Sequence, residues 1–588
     1  MSTWLPWRRI ARQVILEVDL EPGLLERRPG HPLARLRDQD KLTLPGLVQV
    51  LARAATDPRV VALVVRLGAG GFGLARVEEV RDAVRSLREA GKHTVAFSET
   101  MGEAEPGHGG YYLSTAFDEV WLQPSGSLGL TGLLAAVPFA REGLDRLGLR
   151  PLVDRRREYK TASNLFTEDG LTDPHREMLE SVVGDIFDRL VGEIATAREL
   201  DRGRVRELVG SGPIPAGEAL ETGLVDHLGY RDELDEALED RFGKAQRLDP
   251  SGYLSRAGRP FRKGRSWVAI IQVTGLIQRG PSYYRPGAGS ITGSDSIRDA
   301  FRDAVKNPRV KAILLRVDSP GGSYVGSDLI HREVVRARAQ GKPVIVSMGN
   351  AAASGGYFIA AAADRIVAQP STLTGSIGVV YGKVVTRDLW ERLGVRWDEV
   401  RQGGNAGMWS TLHEYSDDEW ERLQHILDQV YEDFTDKVGR GRSLDRGQVE
   451  EVARGRVWTG NDARRLKLVD ESGGMLRAFL LARQAADLPP EESVRLEPFP
   501  RPRSLLRRVM ELAAGRGPQA FAARRGLHSF AAGRGAEAFA AGLTPELPLL
   551  LEQLRQESGL ATMETGMLSA LPVLWPLREI TGDPVQHS

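Results

Sequence analysis

Residues 349–378 hold the side chains whose types and spacing are best suited to chemistry. Ser354 follows a run of small residues and precedes two glycines, and Ser376 lies in a second glycine-flanked turn. Glycines let a substrate backbone approach closely and leave peptide N–H groups exposed, which suits a serine that attacks a carbonyl. The alternative is structural, because serine is a preferred helix N-cap and the alanine-rich segment that follows favours a helix. This stretch alone leaves both interpretations open.

A serine hydroxyl needs a base to accept its proton before it can attack, and Lys160 is the candidate base. A neutral lysine amine can serve if burial and nearby cations lower its pKa from about 10.4 towards 7 or 8. Arg155, Arg156 and Arg157 come just before it and are expected to add to that shift. Taken alone, Lys160 also fits an exposed lysine on a polar loop, so the assignment depends on the rest of the chain.

The chain contains an internal repeat. Residues 57–67 match residues 307–317, 250 positions later, and the Gly-Lys pairs at 91 and 341 keep the same offset. After a four-residue difference in length the offset becomes 246, which aligns the Gly-Gly-Tyr sequences that begin at 109 and 355. Matches at such fixed offsets show that the chain is a tandem duplication.

The two copies differ where chemistry is expected. The later offset aligns His108 with Ser354, so the second copy alone carries the candidate nucleophile. The same offset aligns Lys160 with Ala406, and residues 401–410 contain no lysine. Each copy holds what the other lacks, which predicts a single site built from both. His108 has no evident acidic partner and is interpreted as a relic position.

Apolar segments predict the elements that must position these groups. Strands are predicted at residues 14–20, 60–67 and 94–98 in the first copy and at 268–273, 310–317 and 343–347 in the second. Helical segments alternate with them, which favours a buried, largely parallel sheet of the α/β class. The predicted divisions are a first repeat at 1–245, a linker at 246–265, a second repeat at 266–500 and a helical tail at 501–588.

Composition and charge narrow the possible classes of protein. A chain of 588 residues needs more than one core, and its 79 basic and 79 acidic residues cancel, so no overall field favours nucleic acid. The sequence has no cysteine, which excludes disulfides, cysteine nucleophiles and thiolate metal sites. We expect no metal and no cofactor.

Membrane attachment is the least determined property. No apolar run reaches the roughly 18 to 20 residues that span a bilayer, and residues 1–16 carry charges, so neither a spanning segment nor a signal peptide is expected. Trp4 and Trp7 beside arginines, and a basic amphipathic pattern at 505–512, are each compatible with peripheral contact with a membrane. Packing of both segments on the protein itself is the alternative.

Taken together, the motifs of this chain resemble those of the long, tandem form of the signal peptide peptidase (SppA) family of serine peptidases. The resemblance covers about residues 10–500, and its most specific marks are residues 318–323 (DSPGGS), 354–357 (SGGY), 373–378 (LTGSIG), 457–460 (VWTG) and 159–160 (YK). It implies two tandem α/β domains of the Clp protease and crotonase type.

The resemblance also implies roles for individual residues. Ser354 would be the nucleophile, Lys160 the general base and Ser376 the serine that orients the lysine. The implied substrates are hydrophobic peptides, such as signal peptides already released from preproteins. Family members form homo-oligomers, which implies a homotetramer here. They are associated with the bacterial inner membrane, usually through an anchor, and since no spanning segment is expected here, a cytoplasmic or peripheral location stays open.

An oxyanion hole is implied beside the nucleophile. The expected donors are the N–H groups of Gly322 and Gly355, with Gly321 as the alternative to Gly322. The first copy has residues 68–71 (GAGG) where the second has residues 318–322 (DSPGG). This difference is consistent with a first copy that no longer forms an oxyanion hole.

Two other functions are compatible with the pattern. A crotonase-like acyl-CoA enzyme would use the same backbone donors to stabilise a thioester enolate, but it would need catalytic carboxylates rather than a serine and a lysine. A degenerate scaffold would bind peptides without cutting them. Retention of both Ser354 and Lys160 argues against the scaffold.

Overall fold

A computed structural model describes residues 13–28, 36, 38–257, 264–285, 289–489 and 492–500. The predicted helical tail at 501–588 lies outside these residues, as do Trp4 and Trp7. Among the described helices, none combines the length and apolar character needed to cross a bilayer.

The first half of the chain alternates strands and helices. Its strands are β1 (Val14–Asp19), β2 (Leu24–Leu25), β3 (Leu42–Thr43), β4 (Val60–Arg66), β5 (His93–Ser98), β6 (Glu119–Leu122), β7 (Ser127–Leu128), β8 (Arg150–Arg155), β9 (Ile214–Pro215), β10 (His227–Leu228) and β11 (Gln246–Leu248). Its α-helices are α1 (Leu44–Thr56), α2 (Leu74–Glu89), α3 (His108–Ser114), α4 (Arg141–Arg146), α5 (Asn164–Thr167), α6 (Asp173–Arg198), α7 (Arg202–Ser211), α8 (Ala216–Glu221), α9 (Arg231–Phe242) and α10 (Pro250–Ala257). A 3₁₀ turn, Thr161–Ser163, precedes α5.

The second half repeats this alternation. Its strands are β12 (Ser266–Thr274), β13 (Ile277–Gln278), β14 (Tyr283–Arg285), β15 (Gly289–Gly293), β16 (Val310–Ser319), β17 (Val344–Ala353), β18 (Arg365–Ala368), β19 (Leu373–Gly375), β20 (Val380–Val385), β21 (Val457–Thr459), β22 (Glu471–Ser472) and β23 (Val494–Phe499). Its helices are α11 (Ser294–Lys306), α12 (Tyr324–Ala339), α13 (Gly355–Ala360), α14 (Arg387–Arg392), α15 (Asp417–Arg442), α16 (Arg446–Val452), α17 (Gly460–Arg465) and α18 (Met475–Ala485).

Both halves are built on parallel sheets with the same strand order. The first sheet runs β10-β6-β5-β4-β1-β11, and all of its pairs are parallel. In the second sheet the corresponding order is β22-β18-β17-β16-β12-β23, again parallel throughout. Strand β19 pairs in parallel with the last three residues of β17, and β21 pairs with β19 in antiparallel orientation. The duplication in the sequence is thus repeated strand by strand, within the α/β class that the apolar runs predict.

The two sheets share part of their apolar core. Successive residues of a strand face opposite sides of a sheet, so Ala269 and Ile271 of β12 pack with helices of the second half, whereas Val268 and Ile270 face the other way. This second face belongs to the same buried cluster as Phe479 of α18 and the core of the first half. The halves are therefore joined by buried apolar surface and not only by a covalent connection.

The linker predicted at 246–265 differs from the structure at its beginning. Strand β11 pairs in parallel with β1, and Tyr253 of α10 is buried with its hydroxyl donating to Asp57 Oδ2 at 3.0 Å. Despite its charged residues and glycines, this stretch forms the edge strand β11, which completes the first sheet, and the short helix α10. Residues 258–263 of the predicted linker lie outside the described ranges.

An antiparallel ribbon connects the two halves next to the candidate site. Strand β8 of the first half pairs with β20 of the second, with Arg155 opposite Val380 and Arg150 opposite Val385. Lys160 follows β8 and Ser376 precedes β20. The ribbon therefore brings these two segments of distant sequence to the same place.

Candidate active site

Ser354 occupies the sharp turn between strand β17 and helix α13. Its backbone has φ 51° and ψ −118°, which lies outside the conformations that non-glycine residues ordinarily adopt. Strain of this kind is common at functional sites. Ser354 is the N-cap residue of α13 by position, but its side chain makes no capping hydrogen bond, so capping does not occupy its hydroxyl.

The structure brings Ser354, Lys160 and Ser376 together. The Nζ atom of Lys160 lies 3.1 Å from Ser354 Oγ, across 194 positions of sequence. The same nitrogen lies 2.9 Å from Ser376 Oγ and 2.9 Å from the Ser376 carbonyl oxygen. The lysine amine is thus held by three oxygen atoms, all of them from the second half of the chain.

Burial sets the protonation behaviour of Lys160. Lys160 and Ser376 are buried at 4% and 3% exposure, whereas Ser354 is partly exposed. Withdrawal from water penalises the charged form of an amine, and burial lowers the pKa of Lys160 to about 7. A substantial fraction of the amine is therefore neutral near physiological pH, while the serine hydroxyl stays accessible.

The predicted contribution of Arg155, Arg156 and Arg157 to this pKa is wrong. Burial is the cause of the shift, and the three guanidinium groups are directed at other partners. These partners are Asn164 for Arg155, Asp154 and Asp428 for Arg156, and Glu450 for Arg157. The carboxylates paired with Arg156 and Arg157 offset the fields of those two guanidinium groups at an amine farther away.

A turn of the second half, residues 454–456, packs against the backbone of Lys160. The Tyr159 N–H donates to the Arg454 carbonyl at 3.2 Å, and the Ser376 N–H donates to the Arg456 carbonyl at 2.6 Å. Between them Gly455, at φ 81°, packs so closely that a Cβ there would lie 2.6 Å from Lys160 Cα. Sequence reasoning missed this turn. Its one signal was its position directly before the motif at residues 457–460.

The loop that follows β16 lies against the turn of Ser354. A Cβ on Gly321 would be 2.7 Å from the Gly355 nitrogen, and one on Gly355 would be 3.3 Å from the Gly322 nitrogen. The Gly321 N–H donates to Ser319 Oγ at 3.1 Å. Within the described part of the chain, the N–H groups of Gly322 and Gly355 have no hydrogen-bond acceptor. Of the two alternatives in this loop, Gly322 rather than Gly321 has a free donor.

At the corresponding turn of the first half, a carbonyl oxygen lies where the second half has a backbone nitrogen. Gly109 is the counterpart of Gly355, and a Cβ on Gly109 would lie 2.6 Å from the Gly70 carbonyl oxygen, whereas one on Gly355 would lie 3.3 Å from the Gly322 nitrogen. His108 stands where the second half has Ser354. It is buried, and burial lowers its pKa to about 4. Carbonyl oxygens facing this turn cannot stabilise an oxyanion.

The chain matches a known family of peptidases. Residues 86–244 and 336–489 match the model of peptidase family S49. The two matched segments fall in the two halves of the duplication, and together they cover more than half of the chain.

Characterised relatives share most of the length of this chain. It is 31% identical over 515 residues to the chloroplastic serine protease SPPA of Arabidopsis thaliana, a match that covers 86% of this chain and 74% of that protein. It is 30% identical over 464 residues to Protease 4 of Haemophilus influenzae, covering 76% and 73% of the two chains. It is 31% identical over 456 residues to Protease 4 of Salmonella typhi, covering 75% and 72%. The chain therefore belongs to peptidase family S49 and is a tandem serine peptidase of the SppA type.

Proposed function

We propose that this peptidase cleaves hydrophobic peptides, including released signal peptides, with Ser354 as nucleophile and Lys160 as general base. The observation that carries the proposal is the 3.1 Å separation of Lys160 Nζ and Ser354 Oγ, contributed by different halves of the chain. Hydrogen-bond reach between a nucleophile and a base, with a third group that orients the base, is the arrangement that activates a serine. Ser376 is the orienting group.

The geometry around Lys160 suits a neutral amine. A neutral amine has two N–H groups and one lone pair, and Ser376 offers two acceptors, its hydroxyl and its carbonyl oxygen. When both N–H groups donate to Ser376, the lone pair is left for the Ser354 hydroxyl. The Ser354 O–H then donates to Lys160, and its oxygen attacks the carbonyl carbon of the substrate as the proton moves to Nζ.

The oxyanion formed by this attack would be stabilised by backbone donors. Gly322 and Gly355 provide N–H groups beside Ser354, and each such donor lowers the barrier by about 3 to 4 kcal/mol. Collapse of the tetrahedral intermediate breaks the peptide C–N bond, and protonated Lys160 gives its proton to the leaving amine. A water molecule, deprotonated by Lys160, then hydrolyses the acyl ester and regenerates Ser354.

The proposal extends to fold, assembly and location. The shared strand order of the two sheets supports tandem domains of the Clp protease and crotonase type, with the second repeat ending near residue 500. By resemblance to the family, we also propose a homotetramer and peripheral association with a membrane. Both proposals rest on relatedness to the family. Cross-linking tests the homotetramer, and cell fractionation tests the association with a membrane.

Substitution of the two reacting groups tests the mechanism. We expect Ser354→Ala and Lys160→Ala each to lower the hydrolysis of an apolar peptide by about 1,000-fold or more, since each removes a group that participates in bond making. Rates are measured with a fluorogenic peptide, and folding is monitored by circular dichroism and thermal melting. His108→Ala is the matched control, because it changes the equivalent position of the inactive repeat and should preserve activity.

The outcomes separate the possible functions. Near-normal hydrolysis by either the Ser354 or the Lys160 variant rejects the pair as the catalytic groups. Peptide binding by the wild-type chain without turnover from pH 6 to pH 10 supports the scaffold alternative. Membership of a serine peptidase family, together with the serine and lysine contact, leaves no support for an acyl-CoA enzyme.

A further inference from the structure

Strand β17, which delivers Ser354, carries an irregularity that its counterpart in the first half lacks. Along β16 and β17 the register shifts, so that Val317 pairs with Met348 but Ser319 pairs with Ala352. Residues 349–351 therefore bulge out of the ladder. In the first half, β4 and β5 pair without any shift. Bulges redirect a strand and re-aim the side chains that follow, and they are frequent beside active sites.

Asp318 fills this bulge from the second half. One of its carboxylate oxygens accepts a hydrogen bond from the Ala351 N–H at 3.1 Å. The same residue lies in β16 one position before Ser319, where that strand ends and the loop to Gly321 and Gly322 begins. A single carboxylate thus connects the strand that ends at Ser354 with the loop that holds the proposed oxyanion donors.

Arg76 of the first half binds the bulge from the other side. Its Nη2 donates to the second carboxylate oxygen of Asp318, and its backbone N–H donates to Asn350 Oδ1 at 3.2 Å. Asn350 Nδ2 in turn donates to the Phe72 carbonyl at 3.0 Å. These bonds form a closed ring between residues 72–76 and the bulge. Residues 72–76 of the first half thus hold Asp318 and Asn350, which lie in the two strands of the second half that lead to the proposed oxyanion donors and to Ser354.

We propose that Arg76 is a positioning residue that fixes the nucleophile turn and the oxyanion loop of the second half through Asp318 and Asn350. The inference rests on the proposed role of Ser354. Burial opposes the ionisation of Asp318, but the charge and hydrogen bond of Arg76 hold the pKa of Asp318 below its usual range. The carboxylate therefore stays an ionised acceptor for both Arg76 and Ala351, and the docking of the two halves sets the geometry of the attack.

Acylation of Ser354 by a fluorophosphonate probe tests this role in the full-length protein. We expect Arg76→Met to lower the maximal acylation rate by about 10- to 100-fold, because a displacement of about 1 Å at a reacting atom has effects of that size. The probe concentration for half-maximal rate and the pH midpoint should stay unchanged, since the environment of Lys160 is not altered. Arg76→Lys keeps the charge and should recover part of the rate.

A matched arginine separates positioning from general stability. Arg189 is 15% exposed, against 16% for Arg76, and it also bridges the halves, by donating to Ser371 Oγ at 3.0 Å. Arg189→Met should destabilise the protein without slowing acylation. Asn350→Ala, which removes only neutral contacts of the ring, should slow acylation and serves as the test if Arg76→Met does not fold.

The two proposals fail in distinguishable ways. A normal acylation rate in folded Arg76→Met and Asn350→Ala, with Ser354→Ala inert to the probe, overturns the positioning role and leaves the mechanism intact. Equal slowing by Arg76→Met and Arg189→Met also overturns it, because the effect would then follow from stability. Unchanged labelling and hydrolysis in Ser354→Ala would overturn the mechanism and the positioning role together.

Discussion

At the scale of single residues, the protonation state of Lys160 governs the proposed mechanism. Burial alone lowers its pKa to about 7, and only the neutral amine can accept the Ser354 proton. Below that pH the amine is charged and inactive, and above it the active fraction increases. We therefore expect kcat/KM to rise with pH, with a midpoint near 7 and a plateau at more alkaline pH. The measurement uses an apolar substrate without ionisable groups.

A comparison of probe labelling and peptide hydrolysis makes this prediction specific. Both reactions need the neutral amine to activate Ser354, so their pH midpoints should agree. A rate that stays constant from pH 5 to pH 8, in a protein that remains folded over that range, would contradict a lysine base. So would a midpoint near the value of about 10.4 that is usual for an exposed lysine.

The candidate residues could be predicted from sequence because the duplication provides an internal comparison. Ser354 and Lys160 stand out as groups present in one copy and absent from the other. The cause of the lysine pKa shift could not be predicted in the same way. Adjacent arginines in the sequence suggested a cationic environment, but the fold directs them at carboxylates and amides, and burial depends on contacts across 216 positions.

At the scale of elements, the turn at residues 454–456 links the segment of Lys160 to that of Ser376. Gly455 has φ 81° and leaves no room for a side chain against the lysine backbone. We expect Gly455→Ala to push this turn away from Lys160 and to lower kcat by about 100-fold, while most of the fold is kept. Steady-state kinetics, together with thermal melting, measures the effect.

Gly394→Ala provides the control for backbone strain. Gly394 has a similar φ of 74°, but a Cβ there would meet no atom within 4 Å. Both substitutions place alanine in the left-handed region, at about 1 to 2 kcal/mol each. An activity loss that is the same in both variants would show that strain, and not contact with Lys160, is responsible.

Central strands were predictable at this scale, whereas edge elements were not. Apolar runs rich in valine, leucine and isoleucine mark β4 and β16 because both faces of a parallel sheet are buried. By contrast most residues of β8, β11 and β20 are half-buried or exposed, so these strands lack a continuous buried run and their pairing depends on partners far along the chain. The predicted strand ended at residue 347, whereas β17 continues through the bulge at residues 349–351. Side chains from both halves fill this bulge, so the local sequence could not predict the continuation.

At the scale of the whole molecule, the proposed site lies where the halves meet, and buried charges hold that junction together. Arg316 of the second half is 1% exposed and donates to Glu26 of the first half at 2.7 Å. It also contacts Glu79, 3% exposed, at 3.0 Å. Such pairs leave no periodic signal in the sequence, so the repeat predicted two joined domains but not the surface that joins them.

Removal of Arg316 should weaken this junction in a pH-dependent manner. Arg316→Met leaves Glu79 as a buried carboxylate without its cation, and loss of one partner of such a pair destabilises a protein by about 3 to 5 kcal/mol. Glu26 is left with Arg76, whose Nε lies 3.5 Å away. Burial already raises the pKa of Glu79, although Arg316 opposes this, so without Arg316 the carboxyl should take up a proton at a higher pH. The destabilisation should therefore be large at pH 8 and smaller at pH 6, as measured by urea denaturation.

The control for this prediction is an ion pair on the surface. Arg146 and Glu142 are adjacent on helix α4, and their side chains are 81% and 76% exposed. Because solvent screens such pairs, Arg146→Met should change the urea midpoint very little at either pH. If Arg316→Met resembles this control, or if its destabilisation grows as the pH falls, the buried carboxylates do not depend on Arg316. The junction would then be held by the shared apolar core around Phe479 and Val268.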